Sequence, residues 1–220
     1  MSTTPALLGR PVGSSGEETR QRIIEATMRC VAEVGYSQAT IREIARVAQM
    51  TSGSLYHYFP NKSELMKVTV AEFAELTVPR LVRASGRGGT ALQKLMAVLD
   101  ECDAVMSDYP YVAAFDRALR TERQSHVELL NSDAMSMTVT LHSLIVKIIE
   151  EARVDGTLAP QLDVQSASNA IYTIIRGLND HAALAPTAEY HATVQALKLL
   201  IEGRFFHGAA ALKKHRARSR

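Results

Sequence analysis

The sequence predicts an all-α fold, and three features predict it. Apolar residues recur at three- and four-residue spacings through nearly the whole chain. Alternating Val, Ile and Thr runs bounded by hairpin turns are absent. Helix-capping residues and Gly or Pro stops punctuate the chain at intervals suited to helices. The expected architecture is an N-terminal three-helix helix-turn-helix domain followed by a larger helical domain.

Ser15 and Glu18 have capping-box spacing and begin the first helix, whose stripe is Ile23, Ile24, Thr27, Val31 and Val34 and whose stop is Gly35. The Thr27 hydroxyl is expected to bond back to its own helix backbone. Thr40 and Glu43 begin a second helix with Ile41, Ile44, Ala45 and Ala48 inward. Thr51 caps a short third helix anchored by Leu55 and Phe59, and Pro60 stops it. Asn61 and Glu64 cap a fourth, about 63–84, in which Pro79 is expected to bend the axis. Gly86, Gly88 and Gly89 lie in a linker without the phosphate-loop pattern. Further helices are expected at about 90–106, 112–119, 125–152, 164–183 and 188–206, separated by breakers including Pro110, Gly156 and Pro186.

Composition narrows the function classes. At 46% hydrophobic and 22% charged, the chain suits a soluble globular protein, and no apolar run approaches the ~20 residues of a membrane span. Residues 1–16 lack a signal peptide's layout and read as a loose tail of a cytoplasmic protein. Cys30 and Cys102 have no CxxC partner, so neither a disulfide framework nor a zinc site is expected. The histidines form no HExxH, no serine sits in GxSxG and no nucleotide loop appears, so no catalytic residue, cofactor or metal is assigned. Charge is segregated. Residues 1–63 hold seven Lys/Arg against five Asp/Glu, residues 64–212 thirteen against eighteen, and the last eight five cations and no acid. An acidic middle repels a polyanion, so nucleic-acid contacts belong at the ends.

The informative stretch runs from Thr40 to Lys62. Two short helices joined by a tight turn make a helix-turn-helix, whose second helix enters the major groove. That helix opens with Thr51, Ser52, Gly53 and Ser54, small residues that let its backbone come close to DNA. Tyr56, His57 and Tyr58 supply reach to base edges and phosphates, and Lys62 a flanking cation. Tyr58 also suits partial packing on the first helix, and His57 an ordinary surface histidine.

With Thr40, Ile44, Ala45, Gly53, Ser54, Leu55, Tyr56, Tyr58, Phe59 and Lys62 in these places, about 19–66 resembles the N-terminal domain of the TetR family of bacterial regulators. Gln49 departs from the pattern, standing where the family usually has Gly. The resemblance implies that Thr40, Arg42, Thr51, Ser52, Gly53, Ser54, Tyr56, His57, Tyr58 and Lys62 meet DNA. It also implies that the larger domain binds a small effector and forms a homodimer. The expected divisions are a tail at 1–16, a DNA-binding domain at 17–63, an effector and dimerisation domain at 64–207, and a basic tail at 208–220.

Candidate effector residues are Met96, Leu99, Cys102, Met106, Phe115, Met135, His142, Ile145 and Tyr172, since flexible thioethers suit adaptable apolar pockets. Asp103, His142, Asn169 and Asn179 would either orient a ligand or serve structural hydrogen bonds. Ile171, Ile174, Ile175, Leu178, Val194, Leu197, Leu200 and Ile201 make the last two helices too apolar for plain surface helices and are the expected dimer face. The overall expectation is a ligand-responsive repressor on palindromic operator DNA. The alternatives are an all-helical protein-interaction module and an activator of the same fold.

Overall fold

A computed structural model describes residues 16–123 and 133–206, and the side chains of 16–121 and 139–206. These residues form α1 (Gly16–Val34), α2 (Ile41–Val47), α3 (Ser52–Tyr56), α4 (Lys62–Ser85), α5 (Ala91–Asp108), α6 (Val112–Arg123), α7 (Asp133–Val154), α8 (Val164–Ala182) and α9 (Thr187–Ile201), with no strand among them. Ser15 and the stretch 125–132, where two helix starts were expected, lie outside the described residues.

The caps act where the sequence puts them. Thr40 Oγ1 accepts the Glu43 N–H at 3.2 Å, Thr51 Oγ1 that of Ser54 at 3.1 Å, and Asn61 Oδ1 that of Glu64 at 2.8 Å. Each satisfies one orphan donor and is worth about 1 kcal/mol. Glu43 does not complete a reciprocal box, because its carboxylate pairs with Arg46 at 2.6 Å. Thr27 donates back to the Ile23 carbonyl at 2.7 Å, which lets a hydroxyl sit fully buried. Pro79 does not interrupt α4, which continues through it as one helix.

Two helix ends differ from expectation. Val34 is 38% exposed, because Gly35 follows at φ +81° and turns the chain away before that last stripe residue meets the core. α9 stops at Ile201 and does not reach Phe206. Gly203 takes φ +71°, its N–H reaches the Leu200 carbonyl at 3.0 Å, and the Arg204 N–H reaches Leu199 at 2.8 Å. That paired closure is a Schellman end.

The same closure forms the turn between α2 and α3, with Gln49 at φ +56° in glycine's place. The Gln49 N–H bonds the Arg46 carbonyl at 3.1 Å and the Met50 N–H that of Ala45 at 2.9 Å. A side chain in this left-handed region costs roughly 1–2 kcal/mol, partly offset by the entropy that glycine loses on folding. Gln49→Gly is therefore expected to stabilise the protein by about 1 kcal/mol and raise the melting temperature by about 2–4 °C. A calorimetric scan showing an unchanged or lower transition would refute this.

One apolar core joins Ile23, Ile24, Val31, Ile44, Leu55 and Leu65 of α1–α4 and continues into Val105 of α5 and Val112, Phe115 and Leu119 of α6. A second joins α5, α7, α8 and α9, and a third joins α4, α5 and α7. Arg80–Glu101 at 2.5 Å, Lys94–Glu151 at 2.6 Å and Lys198–Asp100 at 2.5 Å cross-brace α4, α7 and α9 onto α5. No helix among the described residues is long and apolar enough to cross a membrane.

Candidate nucleic-acid interface and effector cavity

α3 is held from behind and open in front. Leu55 is 0% and Phe59 3% exposed, while the adjacent Tyr56 is 53% exposed. Thr40, Arg42, Thr51, Gly53 and His57 are exposed beside it, and Ser52, Ser54 and Tyr58 are half-buried. Tyr58 packs partly on the core, as its alternative reading allowed. Thr40 and Thr51 already use their hydroxyls as caps, and Thr51 and Ser54 hydroxyls share a 2.9 Å hydrogen bond. Arg29 and Arg46 are paired with Glu33 and Glu43 on their own helices.

Gly53 has no internal reason to be glycine. Its φ is not in the left-handed region, and a Cβ there would meet only Thr51 Oγ1, at 3.9 Å. Glycine inside a helix costs roughly 0.5–1 kcal/mol relative to alanine. The protein's own packing does not account for that cost.

Lys62 makes contacts within the chain that its place in the motif did not indicate. Its ammonium donates to the Tyr36 carbonyl and sits 4.1 Å from the centroid of the Tyr36 ring. A half-buried cation held this way ties the start of α4 to the turn after α1, worth about 0.5–2 kcal/mol. In the chain alone Lys62 thereby braces the helix-turn-helix from behind.

In the larger half, a cavity of about 80 Å³ lies among α4, α5, α7, α8 and α9. Of the expected effector residues, Cys102, Met106 and Tyr172 line it. Leu99 and Ile145 do not: they are 1% and 0% exposed and locked in the second core. Met96 packs against that core, and Phe115 belongs to the core shared with α1. His142 stands behind the wall, edge-on to Tyr172 with ring centroids 5.2 Å apart and bonded to Asn169 at 3.0 Å. Met135 lies outside the residues whose side chains are described. Asp103 bonds His191 Nδ1 at 2.5 Å, so Asp103 and Asn169 serve structural hydrogen bonds.

Sequence reasoning missed Phe73, Thr77 and Leu81 of α4, Arg176 of α8 and Tyr190 of α9, all of which line the cavity. The α4 residues carry a recognisable stripe, but its spacing does not say that a cavity lies beneath it. Burial pushes the Cys102 thiol up to about 12 and raises Tyr190 well above the ordinary phenol range. Both face the cavity in neutral form at physiological pH.

The expected dimer face also divides. Ile175, Leu178 and Val194 are 5%, 7% and 1% exposed and pack inside the protomer's own core. Ile171, Leu197 and Ile201 pack against the same core. Ile174 is half-buried, and Leu199 and Leu200 are 40% and 46% exposed. Both helices are apolar on more than one side, so composition alone did not separate the inward stripe from the outward one.

Comparison with known proteins agrees with this geometry. Residues 23–69 match the family model described as bacterial regulatory proteins, tetR family. The chain is 27% identical over 171 residues to the HTH-type transcriptional regulator SrpR of Pseudomonas putida, covering 78% of each chain. It is 30% identical over 111 residues to the HTH-type transcriptional repressor KstR of Mycolicibacterium smegmatis, covering 50% of this chain and 54% of that one. Its fold is similar to that of the transcriptional regulator FadR from Bacillus subtilis, solved in complex with stearoyl-CoA. That match has a TM-score of 0.65 and 23% identity and covers 85% of this chain and 99% of that one. With the motif on an exposed α3 and a family match over the same helices, residues 23–69 form a helix-turn-helix domain of the tetR family of bacterial regulatory proteins, and most of the chain's length is similar to transcriptional regulators.

Proposed function

We infer that the protein is a repressor that binds palindromic operator DNA as a homodimer and is released by an apolar or amphipathic effector. The observation that carries the DNA reading is Gly53, exposed at the front of α3 with nothing in the protein that requires it. A backbone that must lie close against a groove supplies the missing reason. Thr40, Arg42, Thr51, Ser52, Ser54, Tyr56, His57 and Tyr58 surround it as candidate phosphate and base contacts. Lys62 supports them by holding α4 against the turn after α1. Residues 17–63 form the DNA-binding part and 64–207 the effector and dimer part of a cytoplasmic protein. The relative named KstR is a repressor, which favours repression over activation.

For the dimer, Ile174, Leu199 and Leu200 on the outward sides of α8 and α9 are the candidate contacts, and two-fold pairing would set two copies of α3 about 34–36 Å apart. The mostly apolar cavity suits an apolar or amphipathic effector, and the neighbour solved with stearoyl-CoA binds such a molecule. At about 80 Å³ the cavity is smaller than the roughly 300–1,000 Å³ of ordinary ligand sites, so entry has to part its walls. Phe73, Thr77 and Leu81 place α4 in those walls, and α4 begins at the DNA-binding part. Ligand entry would thereby shift a two-state equilibrium, for which about 1–3 kcal/mol of coupling suffices.

The test is selection of genomic fragments by the purified protein, followed by affinity measurement across salt concentrations. One palindrome should be enriched, its log affinity should fall by about 0.9 per phosphate contact for each tenfold rise in salt, and Tyr56→Ala should weaken it about tenfold. Failure to enrich any fragment, or binding indifferent to salt, would favour a protein partner for the helix-turn-helix.

A further inference from the structure

The cavity wall contains one permanent cation. Arg176 of α8 lines it among apolar side chains, and its ion pair is with Asp116 of α6 at 3.5 Å. That pairing is contested. The same Asp116 Oδ2 accepts from Arg120 Nε at 3.0 Å and from Asn179 Nδ2 at 2.9 Å, so Arg176 is the most loosely held of its three donors. Arg120 has a second partner in Asp180. Cys102 and Tyr190, two further ionisable groups in the wall, are uncharged at neutral pH and do not compete for the guanidinium.

α6 connects this cluster to the DNA-binding part. One side carries Asp116 and Arg120 against α8. The adjacent face sends Val112, Phe115 and Leu119 into the core built by α1–α4. Whatever changes the grip of α8 on α6 therefore acts on an element packed against α1.

We propose that Arg176 recognises the head group of an anionic amphiphile, which takes the guanidinium from Asp116 and so loosens α6 from α8. This rests on the effector-cavity reading above and names the ligand's charge and the contact it breaks. A guanidinium is suited to carboxylate recognition, because its fork donates two parallel hydrogen bonds. Asp116 keeps Arg120 and Asn179 after the exchange, so no carboxylate is stranded. The helices lose one cross-link and keep a weaker set. α6 then becomes a second route to the helix-turn-helix beside α4.

The test uses the full chain and calorimetric titration at neutral pH with three probes of equal tail length: octanoate, octanol and octylamine. Octanoate should bind about tenfold tighter than octanol, and octylamine more weakly than either. Arg176→Gln should abolish the tenfold ratio between octanoate and octanol, while Arg176→Lys should keep most of it. Asp116→Asn should tighten octanoate several-fold, because it removes the competing charge. These opposite signs, with circular dichroism confirming that each variant is folded, separate recognition from general damage. Equal binding of octanoate and octanol, or octanoate binding unmoved by both Arg176→Gln and Asp116→Asn, would overturn the head-group proposal and leave the apolar cavity standing. If none of the three probes binds, the cavity reading falls as well.

Discussion

Leu55→Ala is expected to destabilise the protein by about 2–5 kcal/mol, the largest stability loss from a single change in the recognition helix. Leu55 is 0% exposed and is the single buried residue of a five-residue helix. A helix so short has little stability of its own, so α3 exists because this side chain is held in the core it shares with α1, α2 and α4. Truncation leaves a cavity lined by neighbours that are themselves fully buried, with little room to collapse. A chemical denaturation series should show the loss as a lower midpoint, with DNA affinity falling alongside it. A change under 1 kcal/mol would mean that α3 is not held by this contact.

Gly53→Ala, two residues away, is expected to do the opposite to the fold and still abolish most binding. Alanine suits a helix better by roughly 0.5–1 kcal/mol, and its Cβ would stand in open space 3.9 Å from Thr51 Oγ1. Stability should therefore hold or rise slightly. Affinity for the selected palindrome should fall at least about tenfold, because a methyl group at the point of closest approach lifts the backbone away from its phosphate or base partner. Measured together, the melting temperature and the dissociation constant separate the two effects. Unchanged affinity would show that α3 does not approach DNA through Gly53, and the interface would then centre on Tyr56 and Arg42.

The helices up to the start of α4 were far more legible than those around the cavity, for reasons visible in particular residues. Thr40, Thr51 and Asn61 cap their own helices, so their roles follow from residues three positions away. Leu55 and Phe59 are one turn apart and can only point the same way. Arg176, Phe73 and Tyr190 meet at one cavity from three different helices, and no local spacing encodes that meeting. Lys62 shows the limit within the legible half. Its place in the motif matched, yet the partner that holds its ammonium, the Tyr36 carbonyl, lies 26 residues earlier.

The sequence by itself determined the all-α class, the helix-turn-helix and which side of α3 is buried, because helix periodicity, caps and left-handed turns are properties of neighbouring residues. Tertiary structure alone decided which sides of α8 and α9 face inward and that α6 packs on α1. It also decided which side chains surround a cavity. Ile175 and Ile174 are adjacent and chemically identical, yet one is core and the other is half-buried. What distinguishes them is the helix packed against each, and that contact is made across long separations in sequence.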